Sequence, residues 1–133
     1  MMTKEQHIAY WISSAKEDWL SVEALLDRKR YLHCLFWAHL TLEKLAKALW
    51  VKHHEANLPP KTHNITWLLD NSNVDLGKDS MEFLANFNDF QLSGRYPDYL
   101  NQIHKVCTES FTINELTKVK EVRTCLLKML PLE

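Results

Sequence analysis

The stretch YLHCLFWAHLTLEKLAKALWVKHHE, residues 31–55, decides the fold. Its first half, Tyr31 to Leu40, is apolar nearly all round, which a helix tolerates only when other elements surround it. Beyond that point Leu42, Leu45, Ala46, Leu49 and Trp50 recur at helical spacing, while Glu43, Lys44, Lys47 and Lys52 fall on another side. The pattern predicts a central helix over about 31–55. Asn57-Leu58-Pro59-Pro60 stops it, because proline lacks an amide proton and displaces its predecessor from α geometry.

On the N-terminal side, Ile8, Trp11, Ile12, Ala15, Trp19, Val22, Leu25 and Leu26 form an apolar stripe at three- and four-residue steps. Thr3 and Gln6 make a capping box, so a first helix is expected over about 4–29. The basic triplet Arg28-Lys29-Arg30 at its end would complement the helix dipole. On the C-terminal side a short third helix is expected over about 62–71, with Ile65, Trp67, Leu68 and Leu69 as its apolar side. Asp79 with Glu82 suggests a capped fourth helix reaching about Leu92. Gly94 and Pro97 break the chain over 93–99, and 100–111 reads as extended chain or a helical turn. Thr112 with Glu115 is a second capping box, opening a last helix to about Leu130. The fold class is therefore all-α, an up-and-down bundle in one domain over residues 1–133.

Composition agrees. Two glycines in 133 residues are far fewer than the tight hairpins of a β-rich fold require. The formal charge is −1, and the lysines and arginines divide evenly between residues 1–60 and 61–133. A broad basic footprint for duplex nucleic acid is thus excluded, although a small nucleotide or RNA site is not. Three cysteines at no metal-type spacing read as free thiols. Without a secretory leader or an apolar run long enough to span a bilayer, they point to the cytoplasm and to no membrane association.

No metal or other cofactor is expected. His53 and His54 are adjacent and diverge by about 100° on a helix, and His33 and His39 lie on different faces. Neither a nucleophile elbow nor a glycine-rich phosphate loop is present. Three local features carry chemistry instead. His39, Glu43 and Lys47 stand four apart, as a solvated stripe or as one wall of a site, with Glu43 placed to pair with Lys47. Pro59 to Asn64 is a proline brake followed by a helix start with His63 in the first turn, where unpaired amides can receive an anion. Gly94-Arg95-Tyr96-Pro97-Asp98-Tyr99 is a stiff loop bearing a planar cation and two aromatics, the pairing that holds phosphates and stacks on bases. A purely structural loop, with Arg95 ion-paired and Tyr96 packed, is the plainer reading.

In this order the features resemble the HEPN domains (higher eukaryotes and prokaryotes nucleotide-binding) of bacteria and archaea, in the branch with an Arg-Tyr-Pro element. The matching residues are Ala15, Asp18 and Ala24-Leu25-Leu26, then Glu43-Lys44 with Lys47-Ala48-Leu49. They continue with Pro60, Thr62-His63-Asn64-Ile65 and Leu68-Leu69, and end with Arg95-Tyr96-Pro97-Asp98. The resemblance implies a bundle of four to five helices, a homodimer, and work beside a small nucleotidyltransferase in a toxin–antitoxin or stress-response setting. It implies a module that binds nucleotide or RNA phosphate, with Arg95, Tyr96, Lys47, His63 and Glu43 as site candidates. Many relatives are metal-independent ribonucleases using an arginine and a histidine with four to six residues between them, near the last helix. Here Arg95 and His104 are nine apart and no histidine follows Arg123. Arg28 and His33 have the spacing but stand at the first helix junction. Catalytic residues are therefore left unassigned, with a ribonuclease and a non-catalytic protein-interaction module as the alternatives.

Overall fold

A computed structural model describes residues 1–130. Six α-helices follow one another: α1 (Lys4–Asp27), α2 (Tyr31–His53), α3 (Ile65–Asp70), α4 (Lys78–Phe87), α5 (Pro97–Val106) and α6 (Glu109–Lys128). A 3-10 turn, Asn88–Phe90, continues α4. Strands are absent among the described residues.

Fifteen of the 23 residues of α2 are buried, which makes it the central helix. It packs against α1, α3, α6 and the 3-10 turn. Side-chain contacts fix the directions. Lys4, at the start of α1, donates to the carbonyls of Val51 at 2.9 Å and His54 at 2.6 Å, beyond the far end of α2. The first two helices are therefore antiparallel, and the ammonium satisfies carbonyls that the end of α2 leaves unpaired. The Tyr31 hydroxyl meets Glu109 at 2.9 Å and Lys52 donates to the carbonyl of Met129 at 2.7 Å, so α2 and α6 run parallel. Phe90 lies 6.0 Å from Phe111 and Lys118 stands 5.5 Å from the Phe83 ring, so α4 runs against α6. Helices α1, α2, α4 and α6 thus alternate up, down, up, down, with α3 and α5 in the connections between them. Leu35, Leu42, Leu45 and Leu49 are fully buried at the centre, each contributing roughly 1.5–3 kcal/mol of transfer free energy. No helix among the described residues is long and apolar enough to cross a membrane.

The ends of the elements differ from the sequence reading for identifiable reasons. The capping box at Thr3 and Gln6 forms with both hydrogen bonds. The basic triplet, however, lies beyond the last turn of α1. Arg28 is the C-cap, Lys29 has φ 60°, and the amides of Lys29 and Arg30 return to the carbonyls of Leu26 and Leu25. This closing loop favours glycine at the left-handed position. Lys29→Gly is expected to raise stability by about 1 kcal/mol, read as a higher denaturant midpoint at unchanged slope.

Asn64 caps α3 in place of Thr62, and Trp67 is 42% exposed while Ile65, Leu68 and Leu69 are buried. Gly77, at φ 94°, precedes α4, so Asp79 is not its cap. Helix α5 begins at Pro97, inside the expected break, where the missing amide suits the first helical turn, and takes up residues 100–106 of the stretch read as extended chain or a helical turn. Thr108 opens α6 one turn before the expected cap, accepting from the amide of Phe111 at 3.2 Å. Thr112 is instead fully buried inside α6, its hydroxyl without a hydrogen-bond partner among the described residues. The earlier start allows Phe111 to pack against the core.

Candidate functional site

The polar stripe of α2 faces inward. His39, Glu43 and Lys47 are 0%, 3% and 8% exposed, so the solvated reading is overturned. A carboxylate this deep requires partners. Glu43 Oε2 accepts from Lys47 Nζ at 2.9 Å, and its Oε1 accepts from His63 Nδ1 at 3.0 Å. Lys47 also stands 5.5 Å from the centre of the Trp11 ring, which shields it on the side of α1. One turn before Glu43, His39 Nε2 donates to Asn88 Oδ1 at 3.0 Å, while its Nδ1 lies 3.8 Å from Glu43 Oε1.

Asn88 links this core network to the start of α3. Its Oδ1 also accepts from the amide of Ile65, and its Nδ2 donates to Asn64 Oδ1 at 3.1 Å. Asn64 Oδ1 further accepts from the Thr66 hydroxyl at 2.7 Å and the amide of Trp67 at 3.1 Å. Asn64 thus places His63 just before α3, outside its first turn. The cap also occupies the amide of Trp67, so no anion site of the expected kind forms there.

His63, Asn64, Asn88, Gln91 and Arg95 together line a hollow of about 200 Å³. The 3-10 turn brings in Asn88 and leads to Gln91. Gly94, at φ 75°, bends the chain so that Arg95 returns to the same place. Arg95 Nε donates to the carbonyl of Gln91 at 3.2 Å, and its guanidinium lies 4.4 Å from the centre of the Tyr99 ring. Tyr99 is anchored by its hydroxyl to the carbonyl of Asp89 at 2.6 Å. Gln91 is only 7% exposed; its Oε1 accepts from the amide of Ser93, and its Nε2 has no partner among the described residues.

The polarity of this wall follows from the hydrogen-bond inventory. The side-chain oxygens of Asn64, Asn88 and Gln91 and the Gln91 carbonyl all accept bonds already. The outer guanidinium nitrogens of Arg95 and the Gln91 Nε2 group remain as donors, with a second proton on Asn88 Nδ2, while the Nε2 of His63 is an acceptor when the proton sits on the Nδ1 that faces Glu43. Donors around one cation suit an oxyanion. Among the described residues no group of His, Cys, Asp or Glu side chains converges as metal ligands would.

Of the residues singled out from the sequence, Arg95 and His63 share this hollow, and Glu43 touches His63 from the core side. Lys47 does not line it, being directed to Glu43 and Trp11. Tyr96 is 82% exposed, next to Arg95 and outside the lining. His104 is exposed on α5; roughly 10 Å of helix axis separates it from Pro97, and it does not line the hollow. Asn88 and Gln91 escaped the sequence reading because they belong to no motif. The one available signal was two amide side chains flanking the apolar Phe87 and Phe90. Asp18, one of the residues carrying the resemblance, is buried and pairs with Lys44 at 2.7 Å, with Ser14 beside it at 2.8 Å from Lys44. Its role is to join α1 to α2.

A family model, described as HEPN domain, matches residues 8–129. The chain belongs to the HEPN domain family. No curated protein and no solved structure matches it. HEPN membership places the chain among nucleotide- and RNA-related modules, and the helical bundle agrees with it. In this HEPN domain the core network also carries a pH response. Burial, the largest influence, lowers the pKa of His39; the Asn88 bond and Glu43 oppose that, while His63 and Lys47 add to it. The unfolded chain then binds a proton more readily than the folded one. The stability that neutral His39 contributes is complete above the unfolded value of about 6.5. It is lost as the pH falls below that and through the lower folded value. Urea midpoints are therefore expected to fall more between about pH 7.5 and pH 5 for the wild type than for His39→Leu.

Proposed function

We propose that this HEPN domain binds the phosphate of a nucleotide or RNA in the hollow between the start of α3 and the Arg95 corner. The observation that carries the reading is a set of free donors in one hollow: the Arg95 guanidinium beside the side-chain amides of Asn88 and Gln91, whose oxygens are already committed. Arg95 clamps the phosphate, Gln91 and Asn88 supply neutral N–H groups, and Tyr96 offers an exposed ring for stacking. His63 is oriented by Glu43, and Lys47 holds Glu43 in place. Following the resemblance, the domain acts as a homodimer beside a minimal nucleotidyltransferase in a toxin–antitoxin or stress-response setting. A thermal-shift series with ATP, GTP and short single-stranded RNAs tests the binding. Ligand at 100 times its dissociation constant adds about 2.7 kcal/mol of stability; an unmoved transition with all of them contradicts the proposal.

One observation favours a second reading, a metal-independent ribonuclease. The 3.0 Å contact between Glu43 Oε1 and His63 Nδ1 has the form of a carboxylate orienting an acid–base imidazole. Arg95 in the same hollow would hold the scissile phosphate. Cleavage of labelled RNA by the purified protein, lost in His63→Ala, supports it; intact RNA disposes of it.

A further inference from the structure

The hollow differs from a nucleotide pocket in size and in chemistry. Pockets that enclose drug-sized ligands measure about 300–1,000 Å³, and this one is about 200 Å³. A phosphate group fits, whereas a nucleoside would remain outside. Distinguishing one base from another takes acceptors as well as donors, because amino groups of bases must be met by oxygens. The side-chain oxygens of Asn64, Asn88 and Gln91 are engaged by Trp67, Ile65 and Ser93. What remains uncommitted are N–H groups, among them the buried Gln91 Nε2, and a single ring nitrogen, the Nε2 of His63, which is too little to meet the several polar groups on the edge of a base. Three larger hollows, between α1 and α6, between α3 and α4 and between α4 and α6, contain no unpartnered buried side chain among the described residues.

Building on the phosphate-binding reading, we infer that the site recognises one phosphate group and is blind to the nucleobase. The donors of Arg95, Gln91 and Asn88 take the phosphate oxygens. The nucleoside lies outside, where the exposed Tyr96 ring stands next to Arg95 in the chain, and a ring accepts the face of any base. Affinity therefore follows the phosphate, whether it ends a chain or lies within an RNA backbone.

Isothermal titration of the whole chain tests this with inorganic phosphate, AMP, GMP, CMP, UMP and adenosine as separate ligands. The expected result is saturable binding of phosphate and of the four nucleotides, these four agreeing within about threefold, and none for adenosine. Tyr96→Ala is expected to weaken the four nucleotides equally and to leave inorganic phosphate unchanged. Uridine and adenosine oligomers, each with and without a 5′-phosphate, separate the two sources. A preference for the phosphorylated end assigns the seat to terminal phosphate, and indifference assigns it to the backbone; in both cases the two sequences must bind alike. A nucleotide preferred about tenfold over the others, or saturable binding of adenosine, overturns base-blind recognition and leaves phosphate binding standing. Failure of every phosphate compound, RNA included, overturns the phosphate reading itself.

Discussion

Glu43→Ala is expected to unfold about 3–5 kcal/mol more easily than the wild type, the largest loss among single changes at the network. The variant leaves Lys47 buried with its counter-charge gone, and His63 without the oxygen that holds its Nδ1. The cost arises from the stranded charge more than from the lost attraction. A double variant, Glu43→Leu with Lys47→Met, is therefore expected to recover most of the loss, since apolar residues of similar volume replace a buried pair at little net cost. Urea unfolding of the two variants measures both values. Equal destabilisation in the single and double variants would show that the pair itself, and not its desolvation, dominates.

Arg95→Ala is expected to weaken phosphate binding roughly 10- to 150-fold, the equivalent of the 1.5–3 kcal/mol carried by a hydrogen bond to a charged group. The fold should be unaffected, because Arg95 is exposed and its contacts are one carbonyl and the Tyr99 face. Arg95→Lys should fall between the two. It keeps the charge, but an ammonium neither stacks on Tyr99 nor offers two parallel donors. Titration calorimetry reads the affinities, and thermal unfolding confirms the intact bundle. A Lys variant as weak as Ala would show that the planar fork, and not the charge, holds the anion.

Much of the fold was legible because its helices obey a single period. The stripe from Ile8 to Leu26 packs against the core, with Ala15, Trp19 and Val22 buried, whereas the apolar run of α2 is buried on one side only: Leu32, Cys34, Leu35 and Ala38 are buried, Phe36, Trp37 and Leu40 are half-buried and His33 is exposed. The helix starts were harder to read, since several segments offer competing caps. Thr108 and Thr112 both fit, and burial of Phe111 decides between them. The candidate site was legible only in part. Helical spacing put Glu43, Lys47 and His39 on one side of α2, but spacing does not say whether a polar side meets solvent or another element. Here the start of α3 and the 3-10 turn cover it, through His63 on Glu43 and Asn88 on His39. Asn88 and Gln91 are brought to the hollow by a 3-10 turn that no short pattern announces. Sequence spacing likewise joined Lys47 to the site, whereas the structure sends its ammonium to Glu43 and the face of Trp11.

Side-chain amide resonances give the most direct test of the donor-lined hollow. With ¹⁵N-labelled protein, titration of inorganic phosphate should shift the Gln91 Nε2 and Asn88 Nδ2 groups saturably, and Arg95→Ala should move both titrations to roughly 10- to 150-fold higher phosphate. Amide signals that stay in place up to saturating phosphate, or that move identically in the Arg95→Ala variant, would contradict an oxyanion seat at this place in the bundle.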